Sequence, residues 1–444
     1  MKDLRAGLRA RIEGSDITVG VVGLGFVGLP VAASFASGGC RVVGVDIDER
    51  RVGAIASGSN PLDEDEPGLS ELIRTTTANG TLVATTDAAA LRNADAILVA
   101  VETPVGDDHL ADLSALRAAS RSVGGALRRG TLVVVESTVP PGTTGGLVRQ
   151  EIESASGMVC ERDFYLGHCP ERLMPGKLLS NVRTLPRVCG GSSAATADLV
   201  VALYRHVVRA DLDPVDLVTA ELVKTAENAY YDLNIAFANE VALICEEVGA
   251  DVSRVRALVN KSPGRNMLLP GAGVGGACIP KDPWLLAAVP GRVRGPLIAA
   301  ARRVNDGMPR HVADLTRAGL ARHGRRLEGA IVAVLGVAYR EDTKDDRNSP
   351  TAALARELRS EGATVRLHDP HVPDHQSPLA DVTEGADAAV LMVAHSAYRS
   401  IEPASLRRTM RTPVLVDGRR VFDPATAEAA GLTYLAVGWT PRWN

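Results

Sequence analysis

Short runs of apolar residues alternate with helix-like segments in the first part of the chain. The run ending at Val22 leads into a glycine-rich turn, GLGFVG, and then into a helical pattern from Pro30 to Ser37. Further apolar runs are RVVGVDID, AILVAVETP and TLVVVEST, with a helical segment at 113–127 between the last two. Strands that alternate with helices predict a parallel, doubly wound sheet.

The pattern changes after Pro214, because no Gly or Pro then interrupts the chain until Gly249. This predicts a helix longer than an ordinary globular one, which bridges domains or subunits. A loop rich in Pro and Gly follows, and then another helical segment that ends near Arg322.

Strand–helix alternation restarts near Gly329 with the runs AIVAVLGVAYR, ATVRLHDP, AAVLMVAH and PVLVDGRR. The second half therefore resembles the first in architecture but lacks its glycine fingerprint. We expect an α/β fold in which two doubly wound, Rossmann-like domains, 1–213 and 323–444, are joined by a central helical domain, 214–322, with one long helix.

Composition narrows the class of protein. The 444 residues are 45% hydrophobic and 23% charged, with a net charge of −4, so nothing favours nucleic acid or a membrane as the main partner. The charged start lacks the apolar core of a secretory signal, and we expect a cytoplasmic protein. The six cysteines are scattered without a CxxC pair, so we predict neither a disulfide framework nor a metal site.

The GLGFVG turn predicts a dinucleotide site. Gly23, Gly25 and Gly28 permit a tight turn, close approach of a pyrophosphate and close packing of helix on strand. Asp46 ends the next strand, where a carboxylate accepts hydrogen bonds from ribose hydroxyls and repels a 2′-phosphate. These features favour NAD over NADP, and the alternative is a glycine turn that only packs.

The stretch GVGGACIPKD places Cys278, Lys281 and Asp282 behind a second glycine-rich loop. A thiol near an ammonium could be a nucleophile, and the alternative is a buried cysteine beside a surface ion pair. Only six of the 49 basic residues are lysines. A lysine retained in such a chain suggests a need for an ammonium that can lose its proton.

The long helix carries a further retained lysine. Lys224 and Asn228 are spaced i,i+4 and Asp232 continues that face, so an ammonium and an amide project side by side. The alternative is a solvated helix face. Two loops after strand ends, ESTVPPGTT and HCPERLMPG, carry Thr138, Glu171 and Arg172; each could be a simple turn.

Taken in order, these stretches resemble the nucleotide-sugar 6-dehydrogenase family, the UDP-glucose and UDP-N-acetylmannosamine dehydrogenases. The matches cover nearly the whole chain and include GLGFVG, STVPPGTT, CPERLMPG, the AELVK…EN helix, GVGGACIPKD and YREDTKDDRNSP. The resemblance implies NAD-dependent oxidation of a UDP-sugar C6 alcohol to a carboxylate, with two NAD reduced, by a homodimer that pairs through the long helix.

The resemblance also assigns roles to residues. Cys278 carries a thiohemiacetal and then a thioester, Lys224 and Asn228 polarise the C6 oxygen, Asp282 acts with them in proton handling, and Thr138 and Glu171 place the hydrolytic water. The expected cofactor-binding residues are Gly23, Gly25, Phe26, Val27, Gly28, Asp46, Arg51, Thr103, Thr138 and Arg347. The expected substrate-binding residues are Glu171, Arg172, Lys224, Asn228, Asn266, Gly275 and Arg340.

The exact sugar is less constrained by the sequence. The motifs resemble the UDP-N-acetylhexosamine branch, and UDP-N-acetylmannosamine ranks first. That branch usually has histidine where this chain has Ala277 and arginine where it has Tyr231, while Lys281 is similar to the UDP-glucose branch. The alternatives are a UDP-glucose or UDP-N-acetylglucosamine dehydrogenase, a two-electron dehydrogenase of the hydroxyacid type, and a non-catalytic NAD-binding protein.

Overall fold

The structure is a computed structural model, and it describes residues 2–14, 16–62, 66–288 and 295–439. The chain divides into two compact units, each of which is described by itself. The first comprises residues 1–227 and 284–294, and the second comprises residues 228–283 and 295–444. The division into three domains with boundaries near residues 213 and 322 stays a prediction.

The first unit is built on a sheet of eight strands in the order β3-β2-β1-β4-β5-β6-β7-β8. The strands are β1 (Thr18–Val22), β2 (Arg41–Val45), β3 (Leu82–Thr85), β4 (Ala96–Val99), β5 (Leu132–Val135), β6 (Tyr165–His168), β7 (Arg187–Gly191) and β8 (Leu212–Asp216). Strands β1 to β6 pair in parallel, as the alternation of strands and helices predicts. Because the order reverses between β1 and β4, this part is doubly wound.

One strand pair departs from the parallel pattern. β7 is antiparallel to β6, with Gly167 opposite Gly191. The connection between them holds a single helix of seven residues, Leu178–Thr184, which spans only about 10 Å. The chain therefore re-enters the sheet from the edge at which β6 ends. The apolar runs from which the parallel, doubly wound sheet is predicted all lie before β6, and that prediction is confirmed for them.

Among the residues that the structure describes, eight α-helices precede the long helix. They are α1 (Lys2–Glu13), α2 (Gly28–Ser37), α3 (Glu49–Ala56), α4 (Leu69–Ala78), α5 (Ser114–Ala126), α6 (Arg149–Ser156), α7 (Leu178–Thr184) and α8 (Ala194–Tyr204). Successive residues of the central strands enter different buried clusters: Leu98 lies in one and Ile97 in the other. Since side chains alternate across a strand, both faces of the sheet are covered, which is why these strands are continuously apolar.

The long helix is α9 (Leu217–Val248), with 32 residues. It begins in the first unit and continues into the second, whose first residue is Asn228. The prediction of one long uninterrupted helix in this region is confirmed.

The second unit contains a parallel sheet of five strands in the order β10-β9-β11-β12-β13. The strands are β9 (Ile331–Leu335), β10 (Thr364–His368), β11 (Ala388–Leu391), β12 (Val414–Asp417) and β13 (Thr433–Ala436). The remaining helices of the chain are α10 (Val252–Val259), α11 (Asp282–Ala287), α12 (Pro296–Ala321), α13 (Pro350–Ser360), α14 (Leu379–Thr383), α15 (Ser396–Arg399), α16 (Pro403–Thr409) and α17 (Pro424–Ala429).

Each of the two sheets has a turn that is held by a carboxylate. Asp46 follows β2, and its Oδ2 accepts the Leu24 N–H at 2.7 Å. Asp369 follows β10, and its Oδ2 accepts the Val337 N–H at 2.7 Å. In each sheet a carboxylate after the second strand thus holds the turn after the first. The second sheet keeps this arrangement without the GxGxxG pattern.

Within the part of the chain that the structure describes, no helix combines the length and the apolar character needed to cross a lipid bilayer.

Candidate active site

The glycine-rich turn joins β1 to α2. Gly23 has φ of +90°, and a methyl group on Gly28 would overlap the Gly23 carbonyl oxygen. Around Gly25, by contrast, no described atom lies within 4 Å of the point that a β-carbon would occupy. The turn therefore needs its first and third glycines, while the second leaves an open approach to the N-terminus of α2, which favours phosphate.

Asp46 is the acceptor beside this turn. Its Oδ1 accepts the Asp48 N–H at 2.9 Å, and both of its oxygens lie 3.0 Å from Nη1 of Arg51. The side chain is buried, and its orientation is set by these two donors together with the Leu24 N–H. A carboxylate at the end of the second strand is the group that reads the ribose hydroxyls of NAD.

The residues present fit NAD. The open Gly25, the N-terminus of α2 and Asp46 supply the pyrophosphate and ribose contacts. Phe26 and Val27 are half-buried in the same turn. Thr103 follows β4, and its hydroxyl donates to the Thr138 carbonyl at 2.6 Å. This bond ties together the loops after two neighbouring strands, at the edge where dinucleotides bind.

Arg347 was predicted to contact NAD and lies in the second unit. Its Nε and Nη2 donate to the two oxygens of Asp345, at 2.9 and 2.5 Å. This fork holds the guanidinium to its own loop.

The loops after β5 and β6 carry Thr138 and Glu171, at the same edge of the sheet because these strands are parallel neighbours. Nζ of Lys224, on α9, lies 3.3 Å from Oε1 of Glu171, and both side chains are less than one tenth exposed. The first unit thus brings together two of the predicted catalytic groups. A buried ammonium paired with a carboxylate is equipped to stabilise charge and to move a proton.

Arg172 has partners within the protein. Its guanidinium forks onto Glu227, with Nε 3.0 Å from Oε2, and also donates to the Pro186 carbonyl. These bonds hold the loop after β6 against α9. A contact of Arg172 with the substrate stays a prediction.

A buried carboxylate near Glu171 is absent from the sequence-based site. Glu136 directly follows β5 and accepts hydrogen bonds from the Tyr204 hydroxyl and from Arg187, whose Nη1 lies 3.4 Å away. Burial raises the pKa of the Glu136 carboxyl, against the attraction of Arg187, and the nearby charge of Glu171 raises it further. The one signal in the sequence is an acidic residue directly after four apolar ones.

In the second unit, Cys278 lies just before α11. All six cysteines lie in described parts of the chain, and Cys278 alone is exposed. Its carbonyl oxygen accepts the N–H groups of Lys281 at 3.1 Å and Asp282 at 2.8 Å. The thiol is therefore accessible on a turn whose backbone is fixed, as a nucleophile requires.

The structure brings Asn228 and Asp282 together. Nδ2 of Asn228 lies 2.5 Å from Oδ2 of Asp282, which is almost fully buried, and Nζ of Lys281 lies 3.4 Å from its other oxygen. Lys224 precedes Asn228 by one turn of α9. Neighbouring positions on one helix face thus carry the amide and the ammonium that the predicted chemistry uses.

The glycine loop before Cys278, residues 273–276, makes a contact with Arg419 that the sequence does not predict. Arg419 donates from Nη2 to the Gly273 carbonyl at 3.2 Å and from Nε to the Met392 carbonyl at 2.8 Å. Burial lowers the pKa of Arg419. The one feature of the sequence that could have indicated Arg419 is the DGRR stretch at the end of β12.

Three predicted substrate-binding residues lie in the second unit. Gly275 is buried in the glycine loop, whereas Asn266 and Arg340 are exposed, and their contacts with a substrate stay predictions.

Three family models match the chain in sequence order. They describe the NAD binding domain, the central domain and the UDP binding domain of the UDP-glucose/GDP-mannose dehydrogenase family, at residues 17–208, 218–307 and 333–424. The chain belongs to the UDP-glucose/GDP-mannose dehydrogenase family. It is an NAD-dependent UDP-sugar dehydrogenase, and the predicted family, enzyme class and cofactor are confirmed.

Curated relatives span nearly the whole of this dehydrogenase. It is 39% identical to a UDP-N-acetyl-D-mannosamine dehydrogenase of Pyrococcus horikoshii over 91% of this chain and 96% of that protein. It is 36% identical to an NDP-N-acetyl-D-galactosaminuronic acid dehydrogenase of Ralstonia nicotianae, with the same shares covered.

Solved structures are similarly close. A UDP-N-acetylmannosamine dehydrogenase from Pyrococcus horikoshii has a TM-score of 0.89 at 36% identity, covering 95% of this chain and 99% of that one. A UDP-glucose dehydrogenase from Pyrobaculum islandicum has a TM-score of 0.82 at 32% identity, covering 96% and 98%.

Among the described residues of this dehydrogenase, Asp342, His371 and His395 form a group whose ligand atoms could surround a metal ion. Both ring nitrogens of His395 already take part in hydrogen bonds. Its Nδ1 accepts the Asp342 backbone N–H at 2.9 Å, and its Nε2 lies 3.0 Å from Oδ2 of Asp369. Because both ring nitrogens are engaged, metal binding would have to break a buried hydrogen bond, and the group carries no metal proposal.

Proposed function

We propose that the enzyme oxidises C6 of UDP-N-acetylmannosamine to a carboxylate in two successive oxidations. The observation that carries the chemistry is the exposed Cys278 next to the hydrogen-bonded pair of half-buried Asn228 and buried Asp282. The choice of sugar is supported by the relatives, since several at 33 to 39% identity are UDP-N-acetyl-D-mannosamine dehydrogenases.

The first oxidation makes an aldehyde, and the Cys278 sulfur then adds to its carbon to give a thiohemiacetal. Loss of a second hydride leaves a thioester, which water cleaves to the carboxylate and the free thiol. Two NAD molecules, bound one after the other at the glycine-rich turn, would each accept one of the two hydrides that leave C6.

The polar side chains act on the C6 oxygen and on the water. Lys224 and Asn228 stabilise negative charge on that oxygen, which is larger in the transition states than in the alcohol. Asp282, hydrogen-bonded to Asn228, orients that amide. Glu171 accepts a proton from the hydrolytic water, and Thr138 helps to place the water.

The test is the yield of NADH from a limiting amount of sugar. The parent enzyme should give about two NADH per UDP-N-acetylmannosamine, because both oxidations proceed. Cys278→Ser should give at most about one, because a hydroxyl is a far weaker nucleophile than a thiolate. A matched control is Cys160→Ser, whose thiol is buried and hydrogen-bonded to Ser192.

Two results would contradict the proposal. A parent yield of one NADH per sugar favours a two-electron dehydrogenase, and an unchanged end point in Cys278→Ser removes the thioester. UDP-glucose, UDP-N-acetylglucosamine and UDP-galactose belong in the same panel, because Lys281 resembles the UDP-glucose branch.

We further propose that two copies pair through α9. Tyr230, Phe237, Ile244 and Val248 recur at helical spacing and are 71, 55, 55 and 70% exposed. Apolar side chains on one face of a long helix need a partner surface. A second copy fits this surface best, because Tyr230, Phe237 and Ile244 recur every seven residues and a twofold axis would place the two stripes against each other.

A cytoplasmic location belongs to the same proposal. The mechanism needs Cys278 as a free thiol, and thiols remain reduced in the cytosol.

A further inference from the structure

The segment 339–350, which we call the cradle loop, runs from the end of the β9 turn to the start of α13. It is braced internally. The Tyr339 N–H donates to the Asp345 carbonyl at 2.9 Å, and Asp345 also receives the Arg347 guanidinium. Ser349 caps α13 through its hydroxyl at the Thr351 N–H, 3.2 Å away. These bonds make the loop a firm part of the second unit.

The cradle loop is hydrogen-bonded to Gly276, the last residue of the glycine loop (residues 273–276). The Gly276 N–H donates to the Arg347 carbonyl at 2.9 Å. In return, Nδ2 of Asn348 donates to the Gly276 carbonyl at 3.2 Å. Both polar groups of the Gly276 backbone are thus satisfied by two consecutive residues, and Gly276 lies two residues before Cys278.

The fit between the two loops leaves no free space. A methyl group on Gly275 would lie 2.7 Å from both the Asn348 carbonyl oxygen and the Tyr339 β-carbon. Gly276 has φ of +88°, and a methyl group there would lie 2.8 Å from the Tyr339 ring. Because interiors are close-packed, the glycine loop cannot shift without moving the cradle loop.

Asn348 has an unusual backbone. Its φ is +50°, in the left-handed region that Asn tolerates better than most residues and that costs of order 1 kcal/mol or more elsewhere. The same residue thus supplies a tolerated left-handed turn and the amide that reaches Gly276.

We propose that Asn348 is a positioning residue for Cys278. Its hydrogen bond to the Gly276 carbonyl fixes the direction in which the chain leaves the glycine loop, and therefore the position of the Cys278 thiol two residues later. The inference rests on the proposed role of Cys278 as the nucleophile.

The test separates the amide from the backbone. Asn348→Gly keeps the left-handed conformation and removes the amide, whereas Asn348→Ala removes the amide and adds strain. Asn234→Gly would disturb α9, so the matched control is Asn234→Ala. This variant deletes a half-buried amide whose hydrogen bond goes to its own helix, at the Tyr230 carbonyl.

The first measurement is the rate of Cys278 alkylation by iodoacetamide, without sugar or NAD, read by intact mass and taken at the high-pH plateau. The plateau reports access to the thiolate and not its pKa. We expect Asn348→Gly to raise this rate about threefold to tenfold, the range given by loss of one hydrogen bond. Asn348→Ala should change it at least as much, and Asn234→Ala should leave it unchanged.

The second measurement is steady-state turnover. Asn348→Gly should lower kcat by a similar factor while KM for the sugar stays within about twofold, because the lost bond orients the nucleophile and not the nucleotide. A variant that only melts at a lower temperature, with parental alkylation and kcat, overturns the proposal. So does a fall in kcat without a change in alkylation.

Failure of this inference is distinguishable from failure of the thioester route. The alkylation rate needs no substrate, so it tests Asn348 even if Cys278→Ser still yields two NADH per sugar. Conversely, parental alkylation in Asn348→Gly removes the positioning role and leaves the chemistry of Cys278 intact.

Discussion

Asp46 holds the glycine-rich turn of the fold, and we predict that the same side chain contacts the cofactor. One oxygen accepts the Leu24 N–H and so holds the glycine-rich turn, while the other accepts the Asp48 N–H. Arg51 bridges both oxygens. If Asp46 receives the ribose as we predict, the hydroxyl would meet a carboxylate whose direction is set before NAD arrives, which would reduce the ordering cost of binding.

We expect Asp46→Asn to raise KM for NAD about tenfold or more, because hydrogen bonds to a charged group are worth more than those to a neutral one. The thermal midpoint should also fall, because the amide oxygen can accept only one of the two backbone N–H groups that the carboxylate holds. Steady-state kinetics with varied NAD measure the effect.

The control is Glu49→Gln, which makes the same charge change in the exposed first turn of α3. Equal KM values for the two variants would mean that Asp46 acts on NAD only through long-range charge.

The reactive residues were the part of the site most accessible from the sequence. Cys278 and Lys224 stood out because their residue types are scarce, and Asn228 followed from its helical spacing. Asn348 and Arg419 left no such mark. Each acts through contacts with the glycine loop that lie some 70 and 145 residues away in sequence, and no local pattern encodes such a distance.

At the scale of elements, the loop after β6 is held in place by a carboxylate from elsewhere in the chain. Glu66 is buried and accepts the N–H groups of Gly176 and Leu178, the latter at 3.1 Å. The Met174 N–H donates to Asn181 at 3.1 Å. Glu171 sits at the start of this loop, so its position depends on both ends being fixed.

We expect Glu66→Ala to loosen this loop, because it leaves two backbone donors without an acceptor, at about 1–3 kcal/mol each. Trypsin should then cut faster after Lys177, which lies between the two donors, and turnover should fall. Timed proteolysis followed by mass spectrometry measures the cut.

Glu71→Gln is the control, since Glu71 is exposed on α4 and pairs only with its own helix at Arg74 and Thr75. If Lys177 is cleaved at the parental rate in Glu66→Ala, the loop is held by its other contacts.

Elements were predictable where burial on both faces made the strand continuously apolar, as in β1, β4, β5 and β9. β8 escaped prediction because its sequence, LDPVD, contains two aspartates and a proline and is mostly exposed. α1 escaped prediction because half of its twelve residues are charged, which obscures its apolar face. The antiparallel β7 depends on the length of α7 and has no signature within the strand itself.

At the scale of the whole molecule, the stripe on α9 predicts the oligomeric state. We expect Phe237→Glu to convert a dimer to monomers, because pairing would bury a carboxylate from each copy in an apolar contact. Light scattering coupled to size-exclusion chromatography gives the mass directly.

Val83→Glu is the matched control, an apolar-to-acid change at an exposed position of the edge strand β3. A parent that is monomeric at micromolar concentration, or a dimer that survives Phe237→Glu, would place the interface elsewhere or remove it.

The burial of five cysteines and the exposure of Cys278 have a consequence for the lifetime of the enzyme in air. Oxidative damage to its thiols is a single-site event, since a sulfur must be accessible to react. Up to the sulfenic acid or a mixed disulfide, a reductant restores the protein fully. One further oxygen on that sulfur is irreversible, so the shelf life of a preparation is set by the chemistry of one atom.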